Sequence, residues 1–488
     1  MALEVIGKSN YSKQVSILIA KIYDNTVVAD SVYENAVLAF SQAELKQKQL
    51  VELEQQVTLF ESRLGQVSAR DKVSFERKLE HARVELLQFK QQLSDEAFQR
   101  FCQLQHICQS ILQLVQGGSK EETLQLTAKL LGTIQLSSPT QGNQVAISNQ
   151  KSKHLYKAVL SLRLLDELLA GKNITNKYIL QRSKVTDGDY NDFNTYHPFR
   201  DDIQMPLLMA ALLQDIGSCH PTAQQIIYGE DGKADPFRVM ETQERVSMLK
   251  VSYSQTIKYV TDLIEERYQG NSKAEREQFK ENSQQRKLFM QQLLIGATKA
   301  EHGIGNLLKI PQVYTSVVLS TKPNFVYETL PRVALVLEKG VEKGVYSSTA
   351  VNSLLAITGI FPQGFGVTYI PKDSDDQDLD RYEYAIVTGL YPKDLKEPIC
   401  RMATRNLTYN VSAQGCVVSV NNNLYFPVAR KKLAVVSQER LIEILTLLVS
   451  NVEERKKQSL LPKCWHPDEY FSFVKNQNLW NKVVMHSN

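Results

Sequence analysis

The stretch PLLMAALLQDIGSCHP, Pro206–Pro221, decides how the middle of this chain is read. Its apolar run predicts a helix buried in a core, and that helix runs directly into Gln214-Asp215-Ile216-Gly217. An apolar helix ending in His-Asp presents two neighbouring metal ligands at a cavity mouth. Further His or Asp residues from other helices then complete a divalent or two-metal site, which activates water and clamps phosphoryl oxygens. Here Asp215 is present, but Gln214 stands where the imidazole would be. Glutamine is a neutral, weak ligand and does not substitute for histidine. The stretch therefore argues for a fold while withholding one group of the chemistry.

Around it lies a second helical block, predicted over residues 154–361. It holds HLYKAVLSLRLLDELL (His154–Leu169), the polar excursion NTYHPFRDD (Asn194–Asp202), and amphipathic helices up to about Gly359. Upstream, residues 12–135 are rich in Gln, Glu, Leu and Lys and contain no proline, which predicts an N-terminal helical block over 1–136. Two heptad runs mark it, Leu50-Leu53-Val57-Phe60-Leu64-Val67 and Phe75-Leu79-Ala82-Leu86-Phe89-Leu93. The stride through Asp71 between them is either a stutter in one long coiled coil or a turn. GQVSARD, with Gly65 and the N-cap candidates Ser68 and Asp71, favours an antiparallel hairpin. The polar stretch 137–153 is read as a linker. After Gly359 the period shortens: GVTYI, YEYAIVTGLY, ICRMATRNLTYNV and CVVSVNNNLYF predict a small β-rich segment over 362–432. Residues 433–488 are a C-terminal helix capped by Ser437 and a tail that holds both tryptophans, Trp465 and Trp480.

The chain of 488 residues has room for two or three domains, and 43% hydrophobic with 23% charged residues is a globular composition. A net charge of +4 is too small to argue for nucleic acid or an acidic membrane. Six scattered cysteines form no CxxC pair, as expected of free thiols in a reducing cytosol. The N-terminal residues show neither a cleavable signal pattern nor an apolar span, so the expected location is cytoplasmic, without membrane insertion.

MAALLQDIG (Met209–Gly217) resembles the core of the HD-GYP family, bacterial metal-dependent phosphodiesterases of cyclic di-GMP. KIPQVYTSVVLSTKP (Lys309–Pro323) is similar to that family's late segment, and Ala334–Val367 to its closing helices and GIFPxG exit. The resemblance implies that His154 matches the first histidine and Asp215 the aspartate of HD. It also implies that Glu244 matches the glutamate ahead of the next metal histidine. Against this, Gln214 and Ser218 replace a histidine and a lysine, Val251 and Gln312 stand at metal-ligand positions, and Ile264 and Glu265 of IEERYQG replace two histidines. No Gly-Tyr-Pro triplet occurs. Asp215 read alone is equally a helix cap, and His154, His197, His220 and His302 are equally core or surface residues. Arg401 and Arg405 in RMATR, with NVSAQG (Asn410–Gly415), resemble the two halves of a PilZ-type cyclic di-GMP receptor, and two arginines four apart suit phosphate or guanine.

The expected architecture is thus mainly α: a helical or coiled-coil N-terminal block, an HD-like helical bundle and a small β-rich C-terminal segment. The expected function is regulatory or scaffolding, without cofactor, because a site missing this many ligands holds metal weakly. A divergent metal-dependent phosphohydrolase using Asp215 with His154, His197, His220, Glu244 or His302, and a non-hydrolysing cyclic dinucleotide receptor using Arg401 and Arg405, are the alternatives. Expected partners are a protein or a second copy at the N-terminal block, and cyclic di-GMP, but not nucleic acid.

Overall fold

The protein is described here from a computed structural model, over residues 6–68, 70–184, 190–263, 270–410, 414–449, 458–481 and 484–485. It is mainly α, with a small sheet near the C-terminus. The helices are α1 (Asn10–Ile22), α2 (Val32–Arg63), α3 (Lys72–Val115), α4 (Lys120–Leu136), α5 (Val145–Ala170), α6 (Lys177–Ser183), α7 (Met205–Leu213) and α8 (Pro221–Tyr228). They continue with α9 (Thr242–Asp262), α10 (Lys273–Gly296), α11 (Asn306–Val318), α12 (Val333–Glu342), α13 (Ser348–Thr358), α14 (Pro427–Leu433) and α15 (Gln438–Leu448). Two compact units result, each discontinuous in sequence. One comprises Met1–Ala20, Gln109–Ala211 and Gln292–Asn488, and the other Lys21–Cys108 and Leu212–Gln291.

This differs from a division into consecutive blocks at 136, 153, 361 and 432, and the reason is packing between distant segments. Ala128 and Leu136 of α4 belong to the same apolar cluster as Tyr384, Ile386, Trp465 and Trp480. The expected linker over 137–153 is helical from Val145, because its polar residues find partners a sequence does not show: buried Asn149 donates to the Ser320 carbonyl at 2.7 Å. α5 then runs through the centre of its unit against α11 and α13, with Tyr156 stacked on Tyr314 at 6.5 Å.

The heptad runs pair with each other inside the chain. A 3₁₀ turn over Leu64–Gln66 closes α2, and the backbone N–H of Asp71 and of Lys72 bond to Ser68 ahead of α3. Phe60 meets Phe75 edge-on at 5.5 Å, while Val57, Leu79 and Ala82 form a buried cluster. Ion pairs Glu61–Arg83 at 2.8 Å, Glu54–Lys90 at 2.8 Å and Lys46–Glu96 at 2.5 Å descend one helix as they ascend the other, so the hairpin is antiparallel. These pairs are partly exposed, each worth about 1 kcal/mol or less, so the apolar cluster sets the hairpin's stability.

The strands are β1 (Gly366–Tyr369), β2 (Glu383–Val387), β3 (Ile399–Met402), β4 (Thr404–Arg405), β5 (Thr408–Tyr409), β6 (Gln414–Val417) and β7 (Val484–Met485). The main sheet has the order β1-β2-β3-β6-β7, antiparallel except for β6 with β7, and β4-β5 form a separate small hairpin. Period-two alternation splits β2 between two cores: Tyr384 and Ile386 join Trp465 and Trp480, whereas Ala385 and Val387 join Phe365 and Phe361. The tail is therefore core rather than appendage. The Trp480 ring lies so close to Gly132 of α4 that a Cβ there would fall 2.2 Å from it.

Leu79→Ala is expected to destabilise the α2–α3 hairpin by about 2–3 kcal/mol. Native-state hydrogen exchange should show the loss in the amides of α2 and α3 first, with those of α5 unchanged.

Candidate functional site

α7 is apolar on all sides and is introduced by a π-helical turn over Arg200–Gln204. The polar excursion before it is organised by Arg200, which is 1% exposed. All five guanidinium N–H groups are used: on both carboxylate oxygens of Asp201, at 2.8 and 2.9 Å, and on the carbonyls of Tyr190, Asp192 and Thr195. His197 takes part through Nδ1, which accepts the Arg200 backbone N–H at 3.3 Å. This is a saturated lock with no donor left for an anion.

Beyond Leu213 the chain turns through Gln214-Asp215 into a 3₁₀ turn, Ile216–Cys219. Asp215 is not a side-chain cap of that turn. Its carbonyl instead accepts the Ser218 hydroxyl at 2.7 Å and the Ser218 N–H at 3.1 Å. The neighbouring Tyr33 phenol donates to the Leu212 carbonyl at 3.0 Å. Burial, followed by the nearby Asp215 carboxylate, holds that phenol's pKa well above its ordinary value.

The corner is pressed against α9. The Gly217 N–H donates to the Thr256 hydroxyl at 3.0 Å, and a Cβ on Gly217 would fall 1.9 Å from the Ser252 carbonyl oxygen. Only glycine permits that approach. The structure thus brings the QDIG turn together with the helix that carries Val251, whose neighbour Ser252 forms the contact. Gln214 keeps a buried Oε1 that has no hydrogen-bond partner among the described residues. His220 follows as the N-cap of α8, its Nδ1 accepting the Thr222 N–H at 3.2 Å; burial first, then Lys258, lowers its pKa.

The other sequence candidates have separate placements. Glu244, at the start of α9, is paired with Arg238, which also donates to the Ile227 carbonyl at 2.8 Å. His154 is fully buried in α5, Gln312 lies in α11, and His302 is exposed beside Glu301. His154, His197, Gln312 and His302 belong to the unit that contains the sheet, and Gln214, Asp215, His220, Glu244 and Val251 to the other. Ile264 and Glu265 lie outside the described residues, as do residues 411–413 of the NVSAQG motif.

The two arginines of RMATR do not act together. Arg401 in β3 is 5% exposed and donates to the carbonyls of Leu479 at 2.7 Å and Asn481 at 3.2 Å, tying down the chain end. Arg405 is exposed on β4. The acidic stretch DSDDQDLD, Asp373–Asp380, is paired with other cations: Lys372 with Asp376, Lys432 with Asp378 and Arg440 with Asp380.

One group of residues has no counterpart in the sequence reading. Tyr384, Tyr409, Trp465, His466, Glu469 and Tyr470 line a cleft beside the sheet. The signal available was the density of aromatic and titratable residues in CWHPDEYF, Cys464–Phe471. Among the described residues no helix is long and apolar enough to cross a membrane. No family model, curated protein or solved structure matches the chain.

Gly217→Ala is expected to cost about 3 kcal/mol, because backbone rather than a flexible side chain must give way. Thr256→Val, which strands the Gly217 N–H, should cost about 1–3 kcal/mol. Chemical denaturation of both variants checks this order.

Proposed function

We propose that this chain is a non-hydrolysing regulatory or scaffold protein with an HD-GYP-like helical core, acting in the bacterial cytoplasm in cyclic di-GMP signalling. The observation that carries the reading is the state of the QDIG corner. Where a metal hydrolase would hold an open, ligand-lined mouth, the Gly217 backbone is packed onto Ser252 and Thr256. Glu244 is spent on Arg238, and His154 is enclosed within α5. The residues at the inferred ligand positions, Gln214, Val251 and Gln312, are poor ligands or none.

A scaffold needs a surface, and the α2–α3 hairpin offers one. Its own apolar seam is paired internally, yet Leu38, Leu45 and Leu59 recur at multiples of seven residues along α2 and stay 45–69% exposed. Such a stripe suits a protein partner or a second copy.

Protein purified without chelator is expected to retain no stoichiometric manganese, iron or zinc, and to leave cyclic di-GMP intact when these metals are added. Elemental analysis and a hydrolysis assay on the full chain check both. Bound metal together with turnover would replace this reading with that of a divergent phosphohydrolase.

A further inference from the structure

The chain leaves the Ile216–Cys219 turn through His220-Pro221-Thr222, and Pro221, the first residue of α8, has no N–H to satisfy. The next donor, the Thr222 N–H, bonds to the His220 imidazole at Nδ1, 3.2 Å away, while the Gln224 N–H bonds to the His220 carbonyl at 2.9 Å. In the same turn the Gln224 side chain reaches back to the Ser218 carbonyl at 2.6 Å. Other helices of the chain are capped by Ser31, Ser119, Asn176, Ser347 and Ser437, whose oxygens accept on either side of neutrality. An imidazole differs. It accepts through Nδ1 only while it is neutral and its proton sits on Nε2.

Protonation reverses the contact. An imidazolium carries N–H on both nitrogens, so a donor then faces the Thr222 N–H, and a positive charge stands at the positive end of the helix dipole. The surroundings of the ring favour the accepting form. His220 is half-buried and meets Phe40 of α2 edge-to-face, with ring centroids 5.4 Å apart. Burial lowers its pKa, Lys258 of α9 lowers it further, and Glu44 of α2 pulls the other way. The unfolded chain therefore takes the proton first. The cap's contribution is whole above the ordinary histidine range and is lost as pH falls through that range to the lowered value. The far end of α8 rests on a group that keeps its proton: Arg238 donates to the carbonyls of Ile227 and Ile226 at 2.8 and 3.2 Å. Only the first turn depends on an acceptor that titrates.

We propose that His220 is a proton-operated latch on α8. In its neutral form it closes the first turn of the helix; protonated, it opens residues 221–224 and frees the Gln224 side chain from Ser218. The inference stands independently of whether the helical core is catalytic.

The test is amide hydrogen exchange of the full chain, followed over the peptide that holds α8 from about pH 7.5 to about pH 5 and corrected for the intrinsic exchange rate. Protection of the first turn is expected to fall about tenfold over that range. His220→Asn, which caps without titrating, should keep its protection throughout, and His220→Ala should show near neutrality the weak protection that the wild type reaches only in acid. Isotope-labelled imidazole signals report the titration directly. Among the eight histidines, His220 is the one whose midpoint moves up in Lys258→Met and down in Glu44→Gln, and whose signal is missing from His220→Asn. Lys258 and Glu44 are exposed, so these two variants leave the packing intact and keep the midpoint measurable whether or not the His220 variants fold. A His220 midpoint at or above the ordinary histidine value, no fall of protection in the wild type, or the same fall in His220→Asn overturns the proposal.

Discussion

The approach of Gly217 to α9 is the constraint on which the middle of this chain turns. A buried apolar helix cannot simply end inside a protein, because its last carbonyls and the following N–H groups must find partners. Here Ser218 answers the Asp215 carbonyl, Tyr33 answers that of Leu212, and the Thr256 hydroxyl takes the Gly217 N–H. The last of these requires the turn's backbone to lie against α9, and glycine is the residue that allows it. The seat of the Ile216–Cys219 turn on α9 follows from that contact.

A similar economy holds the C-terminal sheet. Its strands are short, and β2 is buried along its whole length, so the sheet depends on what covers its two faces. One cover is assembled from α4 and the tail, with Trp480 laid over Gly132, and the other from Phe361, Phe365 and Tyr327. Arg401 adds a polar tie by holding the carbonyls of Leu479 and Asn481. A buried guanidinium costs stability unless its donors are used, and here two chain-end carbonyls receive them.

Local signals were legible because they are written in neighbouring residues. Ser437 caps α15 by accepting the Arg440 N–H, and Ser68 bonds Asp71 at the start of the second hairpin helix. The strand segments after Gly359 appear where β-branched and aromatic residues alternate. What was not legible depends on partners far away in the chain. Ser9 and Ser12 bond Gln477, Asn149 bonds Ser320, and α4 packs under a sheet that begins more than two hundred residues later. No window of sequence contains such pairs, so consecutive domains were the natural reading and interleaved units the actual outcome. The candidate site fared likewise. Gln214 is visible in the sequence, whereas the contact of Gly217 with Ser252 and Thr256 comes from a later helix and is not.

A metal site and a packing joint make opposite demands on one turn. The first requires particular side chains to project into a cavity while tolerating small adjustments of backbone; the second requires the backbone to approach and forbids a side chain. In this turn the Thr256 hydroxyl and the absent side chain of Gly217 are indispensable, and neither is a strong ligand. Gln214 and Val251 are compatible with the joint because it asks nothing of them as ligands. An apolar helix running into Asp-Ile-Gly is thus accounted for by packing alone, since the missing side chain at Gly217 is what lets the turn touch α9.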